Sequence, residues 1–210
     1  MLQALWNSGR SFNKDKVEKL LKDAIENNGV VKVSSVVTKE KKQGRPTPLN
    51  TVALLKACSK ALGIGPHAAM QTAERLYLSG YLSYPRTEST AYPKSFDIRG
   101  TLQQQANDGR WGKYVRDLLQ EGMNKSRGGV DMGDHPPITP CRSAGPNELS
   151  GDMGRVYDLV VRHFIASVSQ DAVWQSTSIE FEVDTLGDKG KFRLRAVYYT
   201  HLTLPTIYSV

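Results

Sequence analysis

Few cysteines, no long apolar run and no excess of acidic residues mark this sequence of 210 residues. Cysteine occurs only at Cys58 and Cys141, too few for a disulfide framework and without the spacing of a zinc site, so both are expected to be plain reduced thiols. No stretch approaches the roughly 18 to 20 consecutive apolar residues of a membrane helix. The opening MLQALWNSGRSF lacks the charged start and apolar core of a secretory signal. A soluble intracellular protein is the expectation. What is present is ordinary for a folded chain, with 39% hydrophobic and 23% charged residues. The 28 Lys+Arg against 21 Asp+Glu leave a formal charge of +7, compatible with a polyanionic partner held through counterion release. Charge alone does not establish one.

Along the chain, Val17, Leu20, Leu21, Ala24 and Ile25 recur at helical spacing after a capping Asn13, which predicts an amphipathic helix. The β-branched run VVKVSSVVT (30–38) predicts a strand. The basic run KEKKQGRPTP that follows carries Pro46 and Pro48 and is expected to be irregular, with a domain boundary in it. Its Lys39, Lys41, Lys42 and Arg45 suit either a solvated linker or contact with a nucleic-acid backbone. Asn50 opens a helix over 51–62 that stops at Gly63, and Pro66 opens another that stops at Gly80. Joined by Gly63-Ile64-Gly65, they form a helix-turn-helix-like unit, a construction used in DNA binders and in many other helical domains. Further helices are expected from about Trp111 to Gly122 and over 152–168, separated by the interrupted loop NKSRGGVDMGDHPPITP. The alternating Ile179, Phe181, Val183 and Phe192, Leu194, Ala196 predict a hairpin across Gly187–Gly190.

The segment GYLSYPRTEST (80–90) could carry chemistry. Pro85 disfavours helix at Tyr84, so the tyrosine could turn its hydroxyl to a cleft. A phenol, with a reference pKa near 10, attacks a phosphodiester only with help. Arg86 offers a permanent charge and a bidentate fork for a phosphate. On the residues alone, a packed Tyr84 and a surface ion pair for Arg86 are the more ordinary reading. His135, in the glycine- and proline-rich loop, could donate a hydrogen bond to a phosphate. His163 reads as a core or boundary residue and His67 as a first-turn surface residue.

The stretches 49–90, GDHPPITP (133–140) and VYDLVVRHFIASVSQDA (156–172) resemble the type IA DNA topoisomerases, and within them the eukaryotic topoisomerase III beta group. The combination MQTAERLY…GY…SYPRTE is highly specific, the loop form GDHPPITP favours the beta group, and the likeness spans about 5–196. It implies a chain that is mainly α with β segments, a helix-turn-helix-like tyrosine-bearing domain of the type IA topoisomerase fold flanked by partial β regions of neighbouring domains. The implied organisation is a helical segment over 1–28, a strand and basic linker over 29–47, a tyrosine-bearing cleavage domain over 48–171, the start of a β domain over 172–196, and a tail over 197–210 that departs from the family. In the implied reaction Tyr84 attacks one strand and is joined to its 5′ phosphate, Arg86 holds that phosphate and His135 hydrogen-bonds near it. Resealing needs no ATP, and strand passage relaxes negatively supercoiled DNA. Gln71, Thr72 and Glu88 would support strand binding.

The resemblance also implies Mg²⁺ on acidic ligands outside this chain, single-stranded DNA and also RNA as partners, a tudor-domain partner protein, and a nuclear location with a cytoplasmic share. No metal ligand is assigned within the chain. The opening looks truncated, and the chain alone is expected not to relax DNA. The alternatives are a helix-turn-helix DNA-binding regulator without catalysis and a helical scaffold with no nucleic-acid partner. Neither of them needs a tyrosine beside a phosphate-binding arginine.

Overall fold

The computed structural model describes residues 4–26 and 29–199. The turn expected at Asn27-Asn28 and the tail from residue 200 on lie outside the described residues. The chain divides into two compact units, one built from the described residues up to Lys42 and from Val173 on, the other from Gln43–Ala172.

The first unit holds strand β1 (Leu5–Trp6), helix α1 (Lys14–Glu26), strand β2 (Val31–Gln43), strand β3 (Ala172–Val183) and strand β4 (Lys191–Tyr199). Asn13 caps α1 as expected, its side-chain oxygen accepting from Lys16 N at 3.0 Å. The strands form one sheet in the order β1-β4-β3-β2. β3 and β4 pair antiparallel from Trp174↔Tyr199 to Glu182↔Lys191. The alternation of Ile179, Phe181 and Val183 identified this pair, but its connection is not the tight turn expected at Gly187–Gly190. It is a seven-residue connection, Asp184–Gly190, of two short 3₁₀ stretches separated by a kink at Gly187, whose φ is 52°. Val17, Leu20, Leu21 and Ala24 of α1 line an apolar cavity of about 680 Å³ with Phe181, Phe192 and Leu194.

One further expectation is corrected in this unit. β2 runs to Gln43, so Lys39, Lys41 and Lys42 belong to a strand, not an irregular linker; the prolines that bar strand structure lie beyond them, at Pro46 and Pro48. β4 continues to Tyr199, and residues 197–199 pair with 174–176.

The second unit is helical. Helix α2 (Thr51–Ala57) continues as a π turn over Cys58–Leu62, helix α3 spans Pro66–Leu78, and helices α4 (Ile98–Gln105), α5 (Gly112–Glu121) and α6 (Gly151–Val168) follow. Asn50 caps α2 by accepting from Ala53 N at 2.9 Å, Gly63 ends the π turn in the left-handed region at φ 67°, and Pro66 opens α3. These are the termini that the sequence announces. α6 is the centre of the unit. It buries Val156, Tyr157, Leu159, Val160, Val161, His163, Phe164, Ile165 and Val168, so it is enclosed on more than one face. α4 was not foreseen in the sequence.

Both cysteines are free, Cys58 buried and Cys141 exposed. Burial pushes the Cys58 thiol up to about 11. His163 is a core residue, with its Nε2 donating to the Thr47 carbonyl at 2.8 Å and its side chain held neutral because burial lowers its pKa from the ordinary value. The unfolded chain therefore binds the proton more readily than the folded one. Stability from this group is complete above the ordinary value, about 6.5, and is lost as pH falls below it toward the folded value. A lower urea midpoint is expected on going from pH about 7.5 to about 5.5, and His163→Gln, which can still donate to Thr47, is expected to flatten that dependence. An equal slope in the variant would assign the effect to other groups.

Candidate functional site

The segment after α3 is extended, as Pro85 requires, and its backbone is fastened on both sides. Thr51, the first residue of α2, receives a hydrogen bond from Thr87 N at 2.9 Å and donates to the carbonyls of Pro85 and Thr87 at 2.8 and 3.1 Å. Its own N–H donates to the Thr87 carbonyl at 3.0 Å. A side chain at a helix start thus clamps the peptide units on either side of Arg86.

The other side is held by the glycine- and proline-rich loop. Ser83 N donates to the Thr139 carbonyl at 2.9 Å, and the Ser83 hydroxyl accepts from Thr139 N at 2.9 Å while donating to the Pro137 carbonyl at 3.2 Å. Short bridges pair Leu82 with Pro140 and Leu49 with Ile138. Further on, the Thr87 hydroxyl donates to the His135 carbonyl at 3.0 Å, and buried Ser89 donates from its hydroxyl to Asp134 at 3.2 Å and accepts from Met132 N at 3.0 Å. The loop also donates, from Ile138 N to the Leu49 carbonyl and from Cys141 N to the Tyr81 carbonyl, both at 2.8 Å, while its prolines, which have no N–H, limit the pairing to isolated bridges.

Fastened this way, the loop sets His135 against Tyr84, with ring centroids 4.7 Å apart and planes inclined by 59°. Tyr77, from the last turn of α3, also meets Tyr84, edge-on with ring centroids 5.2 Å apart. Tyr84 is half-buried, while His135 and Arg86 are exposed. Asp134 is kept below the usual carboxylate range, chiefly by the His135 backbone N–H and also by Ser89. Arg86 forms an ion pair with Glu74 of α3, its Nε at 2.9 Å and an Nη at 2.5 Å from the same carboxylate oxygen. That bond raises the guanidinium pKa, so its charge is permanent. The surface ion pair considered for Arg86 is therefore real, and any anion reaching Arg86 meets Glu74 as well.

Tyr84, Arg86 and His135 thus share one surface. The other residues singled out in the sequence separate. Gln71 is exposed on α3 and Glu88 is exposed beyond Arg86. Thr72 is 8% exposed and its hydroxyl donates to the Ala68 carbonyl of its own helix at 2.8 Å, so it does not present itself to a strand. Arg45 is engaged by Asp171 at 3.0 Å and by the Lys125 carbonyl, and Lys42 by Glu40 at 3.2 Å, which corrects the picture of one free basic cluster. Lys39 and Lys41 belong to β2, in the other unit. The clamp residues Thr51, Ser83 and Ser89 escaped notice in the sequence, where each reads as an ordinary polar residue.

The profile of the family described as DNA topoisomerase matches residues 2–202. Human DNA topoisomerase 3-beta-1 is 48% identical over 179 residues, which is 85% of this chain and 20% of that protein. The mouse DNA topoisomerase 3-beta-1 is 53% identical over 151 residues, covering 72% of this chain and 18% of that protein. Among solved structures, full-length topoisomerase I from Thermotoga maritima is similar with a TM-score of 0.59, at 16% identity, over 96% of this chain and 32% of that one. This last likeness is one of fold. The chain spans about a fifth of the length of the curated relatives it matches.

Proposed function

This chain belongs to the type IA DNA topoisomerases, in the topoisomerase III beta group, and on that footing we propose that it carries the tyrosine that cuts and reseals one nucleic-acid strand. The observation behind this reading is the packing of His135 on Tyr84, with Arg86 two residues further along the same clamped segment. In the proposed step the Tyr84 phenol oxygen forms a bond to a backbone phosphorus and the bond from that phosphorus to the 3′ oxygen breaks. The phenol gives up its proton and the departing 3′ oxygen takes one up. The product is a 5′-phosphotyrosine ester, and the reverse attack of the 3′ hydroxyl reseals the strand. One phosphate ester replaces another, so the exchange needs no ATP.

Arg86 would bind the non-bridging oxygens through its planar fork and stabilise the charge that grows on them. His135 would donate a hydrogen bond to the same phosphate. Glu74 would share or release the guanidinium when the phosphate arrives. α2 and α3 serve, in this reading, as a helix-turn-helix-like scaffold whose helix start holds the reactive segment. Gln71 and Glu88 would contact the strand at its margins. Among the described residues no three of His, Cys, Asp and Glu come together as a metal site, so the Mg²⁺ implied by the family is assigned to no residue here and no step is drawn through it.

Strand passage, relaxation of negatively supercoiled DNA, action on RNA, a tudor-domain partner and a nuclear location belong to the same proposal, as properties of the longer protein. No helix among the described residues is long and apolar enough to cross a membrane.

The direct test is covalent capture. The chain, carried in the framework of a full-length relative, is mixed with an end-labelled single strand and denatured; label that stays with protein and maps to Tyr84 is the expected result, and label on another residue would overturn the assignment. Arg86→Lys is expected to lower adduct formation by about 10²-fold or more, the scale of losing one oriented charge at an oxyanion, because an ammonium cannot reproduce the fork. Adduct rates within a factor of about two of the parent would remove Arg86 from the chemistry.

A further inference from the structure

Outside the tyrosine site, one face of the sheet gathers cations that the sequence keeps far apart. Successive side chains of a strand alternate between faces, so Lys39 and Lys41 share a face of β2, and Arg193 and Arg195 share a face of β4. All four line a single groove of about 560 Å³ whose floor carries Ser176 and Ser178 of β3. The four cations are exposed, and the Arg195 guanidinium is held by the Ser176 hydroxyl at 3.0 Å. The opposite face has a different character: Thr38 and Thr177 bond there at 2.9 Å, and Lys42 is neutralised by Glu40. Glu180, across from Arg193 in register, is on the same face at the edge of the groove, so a phosphate at Arg193 meets one carboxylate beside the four cations.

We infer that this groove is a second binding site of the chain, for the phosphodiester backbone of a single nucleic-acid strand, with Arg193 and Arg195 on one wall and Lys39 and Lys41 on the other. Cations two residues apart on a strand stand about 6.6 Å apart, comparable to successive phosphates along an extended strand. Guanidinium forks and flexible ammonium groups hold phosphate oxygens, and the serine hydroxyls add neutral donors at the floor. The lining offers cations and hydroxyls, which suit backbone phosphates and carry no base-sequence readout of their own. The choice of a nucleic acid as the polyanion rests on the proposed function; the groove itself is independent of Tyr84.

The test is binding of the purified chain to a fluorescently labelled thymidine homopolymer, followed by anisotropy across a salt series. Each phosphate contact contributes about 0.7 to the slope of log affinity against log salt, so Arg193→Gln with Arg195→Gln is expected to lower the slope by about 1.4, and Lys39→Gln with Lys41→Gln by a similar amount. Lys42→Gln, on the other face, is expected to leave slope and affinity unchanged. The lysine pair keeps the test informative should loss of the Arg195–Ser176 bond unsettle the sheet. Slopes unchanged in both double variants, or an equal drop in Lys42→Gln, would overturn the inference, as would competition by polyglutamate at the same charge concentration as effective as that by the oligonucleotide. Tyr84→Phe is expected to keep the slope, because the groove binds independently; failed covalent capture by the unsubstituted chain, with its slope intact, would reject the cleavage reading alone.

Discussion

Replacing Tyr84 by phenylalanine is expected to abolish covalent capture of a strand while leaving its noncovalent binding intact. The substitution removes one oxygen. The ring keeps its edge contact with Tyr77 at 5.2 Å and its place beside His135 at 4.7 Å, so the extended segment and the loop behind it lose no packing. What disappears is the atom that forms the ester, and loss of a covalent nucleophile lowers turnover by several powers of ten because binding groups cannot replace it. The measurement is a denaturing gel of the labelled strand with the chain in the framework of a full-length relative, alongside a filter-binding isotherm. An adduct persisting in the Phe variant would show that another group attacks. Lost binding together with lost adduct would mean that the hydroxyl is a strand contact, and not the nucleophile.

The second large effect is expected at Thr51, far from the tyrosine in sequence but bonded in the structure to Pro85 and Thr87 of the segment that carries it. Thr51→Val keeps the shape and removes the hydroxyl that accepts from Thr87 N and donates to the Pro85 and Thr87 carbonyls. Thr87 is 3% exposed, so its N–H would be left buried and unsatisfied, at a cost of about 1–3 kcal/mol. The segment that relaxes is the one bearing Tyr84 and Arg86, and a misplacement of about 1 Å at a reacting group can lower a rate by on the order of 10²-fold. Thr51 is a positioning residue: the expected signature is a slower adduct rate with unchanged strand affinity, restored by Thr51→Ser. A stability loss with an unaltered adduct rate would reduce Thr51 to a purely structural role.

The termini of the helices were legible because local chemistry sets them. Asn13 and Asn50 each accept from a first-turn N–H, Gly63 takes the left-handed conformation, and Pro66 begins α3. The helix over 98–105 was not legible. Its sequence IRGTLQQQ has a glycine, three glutamines and only Ile98 and Leu102 as apolar residues, and it fully buries only Leu102 and Gln105. What holds it is tertiary: Gln105 accepts from the Trp111 indole at 3.2 Å and donates to the Tyr157 hydroxyl at 3.2 Å, and Tyr157 donates to the Arg142 carbonyl at 2.6 Å. The reach of β2 was misjudged for a related reason. Lysines depress strand propensity when read singly, yet pairing with a neighbouring strand carries them in.

At the site itself, the sequence by itself determined which side chains could do the chemistry. The tyrosine, the proline that keeps it out of the helix and the arginine two residues on all lie within 84–86, and the motif around them fixed the family. Only the tertiary structure decided which partner they meet. His135 reaches Tyr84 because Ser83 and Thr139 bond across 56 residues, Thr87 is held by Thr51 across 36, and the sheet face collects Lys39 and Lys41 with Arg193 and Arg195. The division has a physical cause. Capping, proline geometry and helical period act over a few neighbouring residues and leave their mark in the local order of the chain, whereas hydrogen bonds between distant backbone groups form wherever the fold brings donor and acceptor together, and any polar residue can supply them.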